Sequence, residues 1–134
     1  MTETQPRETS SVPCGCPAIR RVMMPRDTNA LGTIFGGVIL SEIDLAAAIE
    51  AHQQWPYRVV TVAMDGVEFH EPVQVGDIVS CYTSTERVGR SSIRTKVSVW
   101  AKRRFGGGED VHVTTAFVTL VAVDDELRPV AIRK

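Results

Sequence analysis

The sequence lacks an excess of charge of either sign and any long apolar run. It has 15 Lys and Arg against 16 Asp and Glu, a formal net charge of -1, so no overall basic field attracts nucleic acid or anionic lipid. No apolar stretch approaches the ~20 residues that a membrane helix needs. Residues 1–17 are polar and lack the apolar middle region of a signal peptide. We therefore expect a cytoplasmic protein with neither a nucleic acid nor a membrane as a partner.

Cysteine is scarce, and spacings typical of metal sites are missing. Three cysteines are too few for a disulfide framework. Cys14 and Cys16 lie in the N-terminal segment without a second Cys or His pair at zinc spacing, which favours two free thiols over half a metal site or a redox pair. Cys81 lies in an apolar strand pattern and is expected in the core or in an interface. We predict no metal site, because the histidines also lack metal spacing; they are His52, His70 and His112.

The length of 134 residues is that of one domain. We predict a weakly held tail at residues 1–17 and a single domain at residues 18–134. One substantial helix is expected from residue 36 to about residue 53, and the segment 55–57 with its central proline ends it. The periodic apolar residues that indicate this helix are Val38, Ile39, Ile43, Ala46 and Ala47.

Five strands are predicted besides this helix. A short first strand covers residues 18–24, and alternation of apolar and polar residues predicts four longer strands, at 58–70, 78–88, 92–102 and 110–123. Short links between these four imply an antiparallel meander. We expect an α+β fold in which a curved five-stranded antiparallel sheet wraps around one long central helix. One helix leaves sheet edges and a face uncovered, so pairing with a second copy is expected.

The most informative segment runs from residue 24 to residue 44. A polar, turn-rich loop at 25–33 leads to Gly36 and Gly37, which leave the amides at the helix start uncovered by side chains. These amides and the positive end of the helix dipole suit a developing oxyanion. Asp44 follows about two turns into a mostly apolar helix. Acidic residues are rarely buried without a partner, so an acid at this position indicates a specific role.

Each of these residues has a chemical and a structural interpretation. Asp44 is a general base or a nucleophile, or else an acid that faces solvent or pairs with an arginine. Asn29 orients a reacting group or makes the turn of its loop, and the two roles are compatible. Gly37 donates its N–H to an oxyanion or is a small packing residue. Because the loop and the glycines accompany the acid, we favour the catalytic interpretation of all three.

The segment 25–44 resembles that of bacterial acyl-CoA thioesterases of the hotdog fold, specifically the short broad-specificity YciA type. The Asp-Thr-Asn loop at 27–29, joined to Phe-Gly-Gly at 35–37, is the specific part of the resemblance. The similarity extends from about residue 20 to residue 124. Its later matching segments lie at 59–62, 69–73, 75–77 and 88–92.

The resemblance implies hydrolysis of acyl-CoA to a free acid and CoA, without a cofactor. It also implies active sites at a dimer interface, with the dimer as the minimal active unit, and assembly of dimers into a hexamer. Asp44 matches the catalytic acid of the family. Asn29 matches the loop asparagine that faces the acid of the partner subunit, and Gly37 matches the glycine at the helix start.

Binding of CoA requires cations for its phosphates, and arginine or lysine at turns and strand ends suits that purpose. The turn at 89–92 and the strand end at 102–104 carry such residues, although a solvated charged strand end explains each of them equally well. The residues that we expect to contact the CoA part of the substrate are Gly36, Thr61, Gly89, Arg90, Ser91, Ser92, Arg103 and Arg104.

Two departures from the family pattern concern the acyl part of the substrate. Thr33 stands where relatives commonly carry an acidic or amide residue just before Ile-Phe-Gly-Gly. Ala46 and Ala47 stand where the family's helix often carries glycines, and they could narrow an acyl tunnel. Neither departure removes Asp44 or Asn29, so the expected activity stands and the preferred acyl chain length is left open.

Two other functions remain as alternatives. A hotdog dehydratase or hydratase acts on CoA esters with a histidine near an acid, and His70 is the residue for that role. A module that binds acyl-CoA without cleaving it is the non-enzymatic alternative. A serine thioesterase is disfavoured because the sequence contains no Gly-x-Ser-x-Gly elbow.

Overall fold

A computed structural model describes residues 11–132 of the chain. This part contains one α-helix and a five-stranded antiparallel sheet, so the α+β prediction is confirmed. Residues 1–10 of the predicted tail lie outside the described residues, and residues 11–17 form neither helix nor strand. The elements are β1 (Ile19–Val22), a 3₁₀ turn (Pro25–Asp27), α1 (Gly36–Ala51), β2 (Val59–Asp65), β3 (Ile78–Val88), β4 (Ser92–Lys102) and β5 (Asp110–Ala122).

The predicted element bounds hold best where apolar alternation is strict. Strands β3 and β4 begin and end at the predicted residues, and β5 ends one residue earlier than predicted. The helix begins at Gly36 as expected and ends at Ala51, two residues early. The hairpin between β4 and β5 turns through three consecutive glycines with positive φ angles, which other residues rarely adopt; they are Gly106, Gly107 and Gly108.

The predicted strand at 58–70 is too long. Strand β2 ends at Asp65, because Gly66 follows with a φ angle of 75°, outside the extended region that strand pairing requires. The chain then leaves the sheet, and the N–H of His70 donates to the carbonyl of Val113 at 2.8 Å. Residues 66–70 are therefore part of a link between strands.

The predicted antiparallel meander is also wrong for β2. The strand order is β1-β3-β4-β5-β2, so only β3, β4 and β5 are neighbours in chain order. Strand β2 pairs with β5, and the link at 66–77 carries the chain across the sheet to β3. With the strand ending at Asp65, this link is long enough for the crossover. As a result β1 and β2 form the two edges of the sheet.

The helix packs across the concave side of the sheet through its small and branched residues. Ile43, Ala46 and Ala47 are fully buried against inward-facing strand residues such as Val97 and Val99. Alanine in the middle of α1 allows a close approach of helix and sheet, as the sequence indicates. Cys81 is buried in this core, as predicted.

The opposite side of α1 and the edge strand β2 are not covered by the chain itself. Leu45 and Ile49, one turn apart on α1, are 57% and 44% exposed, and Val62 on β2 is 57% exposed. Exposed apolar side chains on a helix face next to a free strand edge are typical of a surface that pairs with another subunit. No helix among the described residues is long and apolar enough to cross a membrane.

Candidate active site

Asp44 lies half-buried on α1 and contacts strand β2. The hydroxyl of Thr61 donates a hydrogen bond to Asp44 Oδ1 at 2.6 Å, a short distance typical of a hydroxyl that donates to a carboxylate. Thr61 is exposed in the single chain, so the acid lies at the open edge of the sheet and not in the core. Of the interpretations left open by the sequence, pairing of Asp44 with an arginine is not found among the described residues.

An irregularity in β2 aims Thr61 at this acid. Thr61 pairs with Leu120 and Ala63 pairs with Thr119, so Val62 is an extra residue, a β-bulge. Bulges bend a strand and redirect its side chains, and they are frequent beside active sites. Thr61 was expected to contact CoA; within the chain its hydroxyl orients the carboxylate of Asp44.

Asn29 closes the tip of its loop. Its Oδ1 accepts hydrogen bonds from the N–H groups of Leu31 at 2.8 Å and Thr33 at 3.2 Å, and its Nδ2 donates to Thr33 Oγ1 at 3.0 Å. This is the turn-making role expected of the residue. One of the two Nδ2 protons is left for another acceptor, so the structural role leaves room for the chemical one.

The start of α1 presents free backbone donors between two aromatic rings. No side chain caps the helix, and no acidic residue lies in its first turn. Among the described residues, no backbone carbonyl accepts from the N–H of Gly36 or Gly37. A Cβ on Gly37 would lie 2.5 Å from the ring of Phe35, and one on Gly36 would lie 3.5 Å from Phe69. Gly37 therefore lets the ring of Phe35 lie against the helix start, whereas a side chain at Gly36 would meet Phe69 at an ordinary contact distance. Free amides beside aromatic rings suit an apolar substrate that develops an oxyanion.

The amides at the helix start and Asp44 cannot serve one substrate within a single chain. Gly37 and Asp44 are separated by seven residues of α1, or about 10 Å along the helix axis. An oxyanion donor and a general base must both lie about 3 Å from groups on the same reacting carbonyl. If both groups act on one carbonyl, Asp44 must come from one subunit and Gly37 from another.

The loop between Asp27 and Phe35 is anchored to α1 by an ionic cluster. Arg21 donates through Nε to Glu42 Oε1 at 2.7 Å and through Nη1 to Asp27 Oδ2 at 3.1 Å. Burial opposes the charge of Arg21, but these hydrogen bonds outweigh it and raise the pKa of the guanidinium. The N–H of Met24 and then Arg21 lower the pKa of the Asp27 carboxyl against the effect of its burial.

The turn at 89–92 lies on the same end of the sheet as Asp44. Thr61 pairs with Leu120, which pairs with Ile93, so two strand spacings, about 10 Å, separate Thr61 from the start of β4. Arg90 is exposed and lines a small cleft of about 200 Å³ with Ser91 and residues 129–131. Val130 and Ala131 also line a larger groove beside Trp55 and Tyr57.

Arg103 and Arg104 do not join this turn within one chain. Strand β4 separates the two groups, and its ten residue steps from Ser92 to Lys102 span about 33 Å. Arg103 is also engaged: it donates through Nη1 to Asp77 Oδ2 at 2.6 Å and to the carbonyl of Pro72 at 2.8 Å, and its side chain is 12% exposed. Arg104 is exposed and stays the better candidate of the two for a phosphate contact.

His70 is distant from the acid of its own chain. Its N–H bonds to Val113, whereas Thr61 pairs with Leu120; seven residue steps of β5 correspond to about 23 Å. The His70 ring lies beside that of His112, with centroids 5.4 Å apart. The histidine and acid pair that a dehydratase requires is thus not brought together within one chain.

The cysteines take the states expected of them. Cys14 and Cys16 are free and exposed, and Cys81 is free and buried. Burial, together with the charge of Glu42, raises the pKa of the Cys81 thiol to about 12, so it is inert as a nucleophile at neutral pH. No group of three or more His, Cys, Asp or Glu side chains in residues 11–132 is arranged to hold a metal ion.

Two residues beside the site were missed in the sequence. Glu42 is 7% exposed and lies between Ile39, Ile43 and Ala46 on the buried face of α1, so its helical position was a detectable signal. Arg21 was placed only within a strand, and no local pattern indicates that its side chain crosses to the helix. The hydrogen bond between Thr61 and Asp44 depends on the β-bulge, and no sequence pattern predicts that bulge.

Comparisons with known proteins identify the family of the chain. Residues 31–104 match the family model of the thioesterase superfamily, a segment that includes the helix start, Asp44, Thr61 and the turn at 89–92. The chain belongs to the thioesterase superfamily and has its hotdog fold.

Three members of this family are similar to the chain over most of its length. Acyl-CoA thioester hydrolase YciA of Escherichia coli (strain K12) is 40% identical over 126 residues, which are 92% of this chain and 96% of the relative. A hexameric hotdog fold thioesterase of Campylobacter jejuni is 48% identical with a TM-score of 0.84, covering 89% of this chain and 91% of its own. A hexameric thioesterase from Yersinia pestis is 42% identical with a TM-score of 0.85, covering 92% and 99%.

Proposed function

We propose that this protein is an acyl-CoA thioester hydrolase that releases a free acid and CoA. The observation that carries the proposal is an oriented carboxylate, Asp44, on a helix whose uncapped start presents free N–H groups between aromatic rings. The name of the Escherichia coli relative supports the substrate class. Because these two features are about 10 Å apart on one helix, the working unit is a dimer.

In the proposed reaction, Asp44 of one subunit acts on a thioester held by the other. Asp44 takes a proton from a water molecule that attacks the carbonyl carbon, or attacks that carbon itself to form an anhydride that water then cleaves. In both routes the carbon–sulfur bond breaks, and CoA leaves as a thiolate that takes up a proton. The N–H of Gly37 stabilises the oxyanion, and the remaining Nδ2 proton of Asn29 positions the reacting groups.

The CoA part is proposed to lie along the end of the sheet next to Asp44. Arg90, Ser91 and the amides of the turn at 89–92 face the cleft beside residues 129–131, and the neighbouring groove beside Trp55 has room for the nucleotide end. A hexamer built from three dimers is proposed on the basis of the two hexameric relatives. The cytoplasmic location, the lack of a cofactor and the contacts of Gly36 and Arg104 with CoA stay predictions.

The test is release of CoA from a panel of acyl-CoAs of increasing chain length. CoA should be measured by chromatography, because the exposed thiols of Cys14 and Cys16 react with thiol reagents. We expect wild-type activity and a loss of about 10²–10⁴-fold in kcat for Asp44→Asn, which keeps an acceptor for Thr61 but no base. The matched control is Asp65→Asn, an acid of β2 paired with Arg94, which should stay near wild type.

Two outcomes would overturn the proposal. If the wild type binds acyl-CoA and releases no CoA at any chain length, the protein is a binding module. If it hydrates the double bond of an enoyl-CoA, and His70→Ala abolishes that activity, it is a hydratase. Equal losses of kcat in the Asp44 and Asp65 variants would show that Asp44 has no specific part in the reaction.

A further inference from the structure

One guanidinium joins the three chain segments that surround the active-site loop. Arg21 extends from β1, Asp27 ends the 3₁₀ turn, and Glu42 lies on α1. The carboxylate side chains are each 10% exposed, and that of Arg21 is 32% exposed. None of the three takes part in the reaction proposed above, so this buried charge needs another explanation.

Stability is a weak explanation for such a cluster. Removing charges from water costs free energy that largely offsets their attraction, and apolar residues of similar volume often hold a core equally well. The planar fork of an arginine supplies something that apolar packing does not, because its donors hold two carboxylates at fixed distances and directions. The cluster therefore specifies an orientation between the 3₁₀ turn and α1.

This orientation is transmitted to Asn29 through a closed hairpin. The carbonyl of Asp27 accepts the N–H of Phe35 at 2.8 Å, and Thr28 pairs with Ile34 in a β-bridge. The N–H of Asn29 then donates to the carbonyl of Thr33 at 2.8 Å. A hairpin closed by these bonds moves as one piece when its base at Asp27 moves.

The other carboxylate of the cluster lies on the element that carries the acid. Glu42 and Asp44 are two residues apart on α1, and Gly37 starts the same helix. Hairpin and helix are continuous in the chain at Phe35, whose carbonyl accepts the N–H of Val38 at 2.9 Å. The N–H of Ile34 donates to the carbonyl of Val73 at 2.8 Å. The Arg21 guanidinium adds the side-chain link between the base of the hairpin at Asp27 and the middle of α1 at Glu42. In a twofold dimer, the angle between them decides what each subunit presents to the site of the other.

We propose that Arg21 is a positioning residue, which fixes the hairpin at 27–35 against α1 so that Asn29 of one subunit meets Asp44 of the other. The role of Arg21 in catalysis rests on the proposed hydrolase function, whereas its hold on the hairpin does not. Arg21 touches no substrate in this account and acts only through Asp27 and Glu42.

The experiment compares Arg21→Met with Arg20→Met in the full-length protein. Arg20 is the preceding residue of β1, and its guanidinium bonds to Ser80 and Tyr82 of β3, away from the cluster. Both variants remove one cation from the same strand and leave a side chain of similar length. Only Arg21→Met removes the link between Asp27 and Glu42 and should loosen the base of the hairpin.

Two readouts separate positioning from general destabilisation. For Arg21→Met we expect kcat to fall roughly tenfold to hundredfold, since small misplacements of reacting groups have effects of that size, while KM stays near that of the wild type. Hydrogen exchange should become faster at the amides of Asn29 and Phe35 and stay unchanged in β4 and β5. Arg20→Met should match the wild type in both readouts, and Arg21→Lys should recover part of kcat.

If Arg21→Met does not fold, Glu42→Gln replaces it, because an amide oxygen can still accept from Arg21 Nε without the charge. It should shift kcat and hairpin exchange in the same direction by a smaller factor. A folded Arg21 or Glu42 variant with wild-type kcat and hairpin exchange overturns the proposal, as does an equal effect of Arg20→Met. If the wild type hydrolyses no acyl-CoA, the proposed function fails, and hydrogen exchange still decides whether Arg21 holds the hairpin.

Discussion

At the scale of single residues, the site is defined by how each polar group is already engaged before substrate binds. Asp44 has one carboxylate oxygen bonded to Thr61, and the other accepts no hydrogen bond from residues 11–132; a general base or a nucleophile requires such an unoccupied oxygen. Asn29 uses most of its side chain to shape its own loop. In the proposed reaction, Asp44 is the reactive group and the residues around it orient it.

The hydrogen bond from Thr61 gives a direct test of this orientation. Thr61→Val keeps the shape of the side chain and removes the hydroxyl, so we expect kcat to fall roughly tenfold to hundredfold, the value of a hydrogen bond to a charged group. Thr61→Ser keeps the donor and should retain most of the activity. The measurement is kcat for both variants on one acyl-CoA; a Thr61→Val enzyme as fast as the wild type would show that the bond has no part in the reaction.

The sequence predicted single residues best where their chemistry is local. The acid on an apolar helix and the glycines at its start were recognisable from spacing, and the turn formed by Asn29 follows from its own short side chain. Arg103 could not be assigned in this way, because its partner Asp77 precedes it by 26 positions and is brought near only by pairing of β3 with β4. Long-range partners of charged residues are a tertiary property.

At the scale of elements, the start of α1 is distinguished by backbone N–H groups that no side chain caps. The helix begins with two glycines and no cap, an arrangement that gives up stability which a capping side chain would add. A helix start left open in this way favours an anionic group from elsewhere. In the proposed reaction, the first N–H groups of the helix receive the oxyanion.

A pair of substitutions at the second residue of α1 isolates this N–H. Gly37→Ala and Gly37→Pro both place a Cβ near the ring of Phe35, 2.5 Å from its nearest carbon before adjustment, and only proline removes the N–H. Proline is tolerated in the first turn of a helix. We expect kcat of Gly37→Pro to be about 10²–10³-fold below that of Gly37→Ala, as for loss of one oxyanion donor.

The measurement is kcat of the two variants at equal oligomeric state, with thermal unfolding as the control for folding. Equal kcat values in Gly37→Ala and Gly37→Pro would mean that the amide does not contact the oxyanion. In that case glycine would be present only to admit the ring of Phe35.

The elements themselves were largely predictable, and the two main errors, the length of β2 and its place in the sheet, have one origin. Alternation of apolar and polar residues gave β3 and β4 to the residue, because each has one face in the core. The same alternation continued past Asp65 into a segment that leaves the sheet, and this hid the link at 66–77. Without that link the four strands looked like a meander, whereas β2 crosses over to pair with β5.

At the scale of the whole molecule, the single chain leaves an apolar surface uncovered and keeps the groups of the proposed site apart. Its apolar helix face and the free edge of β2 are exposed around Asp44, and the oxyanion donors lie two helical turns away from the acid. In the dimer that we propose, a twofold pairing of chains along this surface would cover the apolar residues and bring the acid of one subunit to the helix start of the other. The same pairing would then complete both the fold and the site.

The most direct test of this account is complementation between two inactive variants. Asp44→Asn and Asn29→Asp, each of which keeps the size of its side chain, are co-expressed with different affinity tags, and oligomers that carry both tags are purified. In a dimer of the two variants, one shared site receives both substituted residues. The other shared site receives the native Asp44 of one chain and the native Asn29 of the other. The release of CoA by the mixed oligomer is then compared with that of each variant alone.

We predict that the mixed oligomer recovers activity, at about a quarter of the wild-type sites for a hexamer of randomly paired twofold dimers and about half for a single dimer that carries both tags. Each variant alone should remain inactive. Activity of the mixture no higher than that of the separate variants would mean that Asp44 and Asn29 act within one chain, and would contradict the shared site.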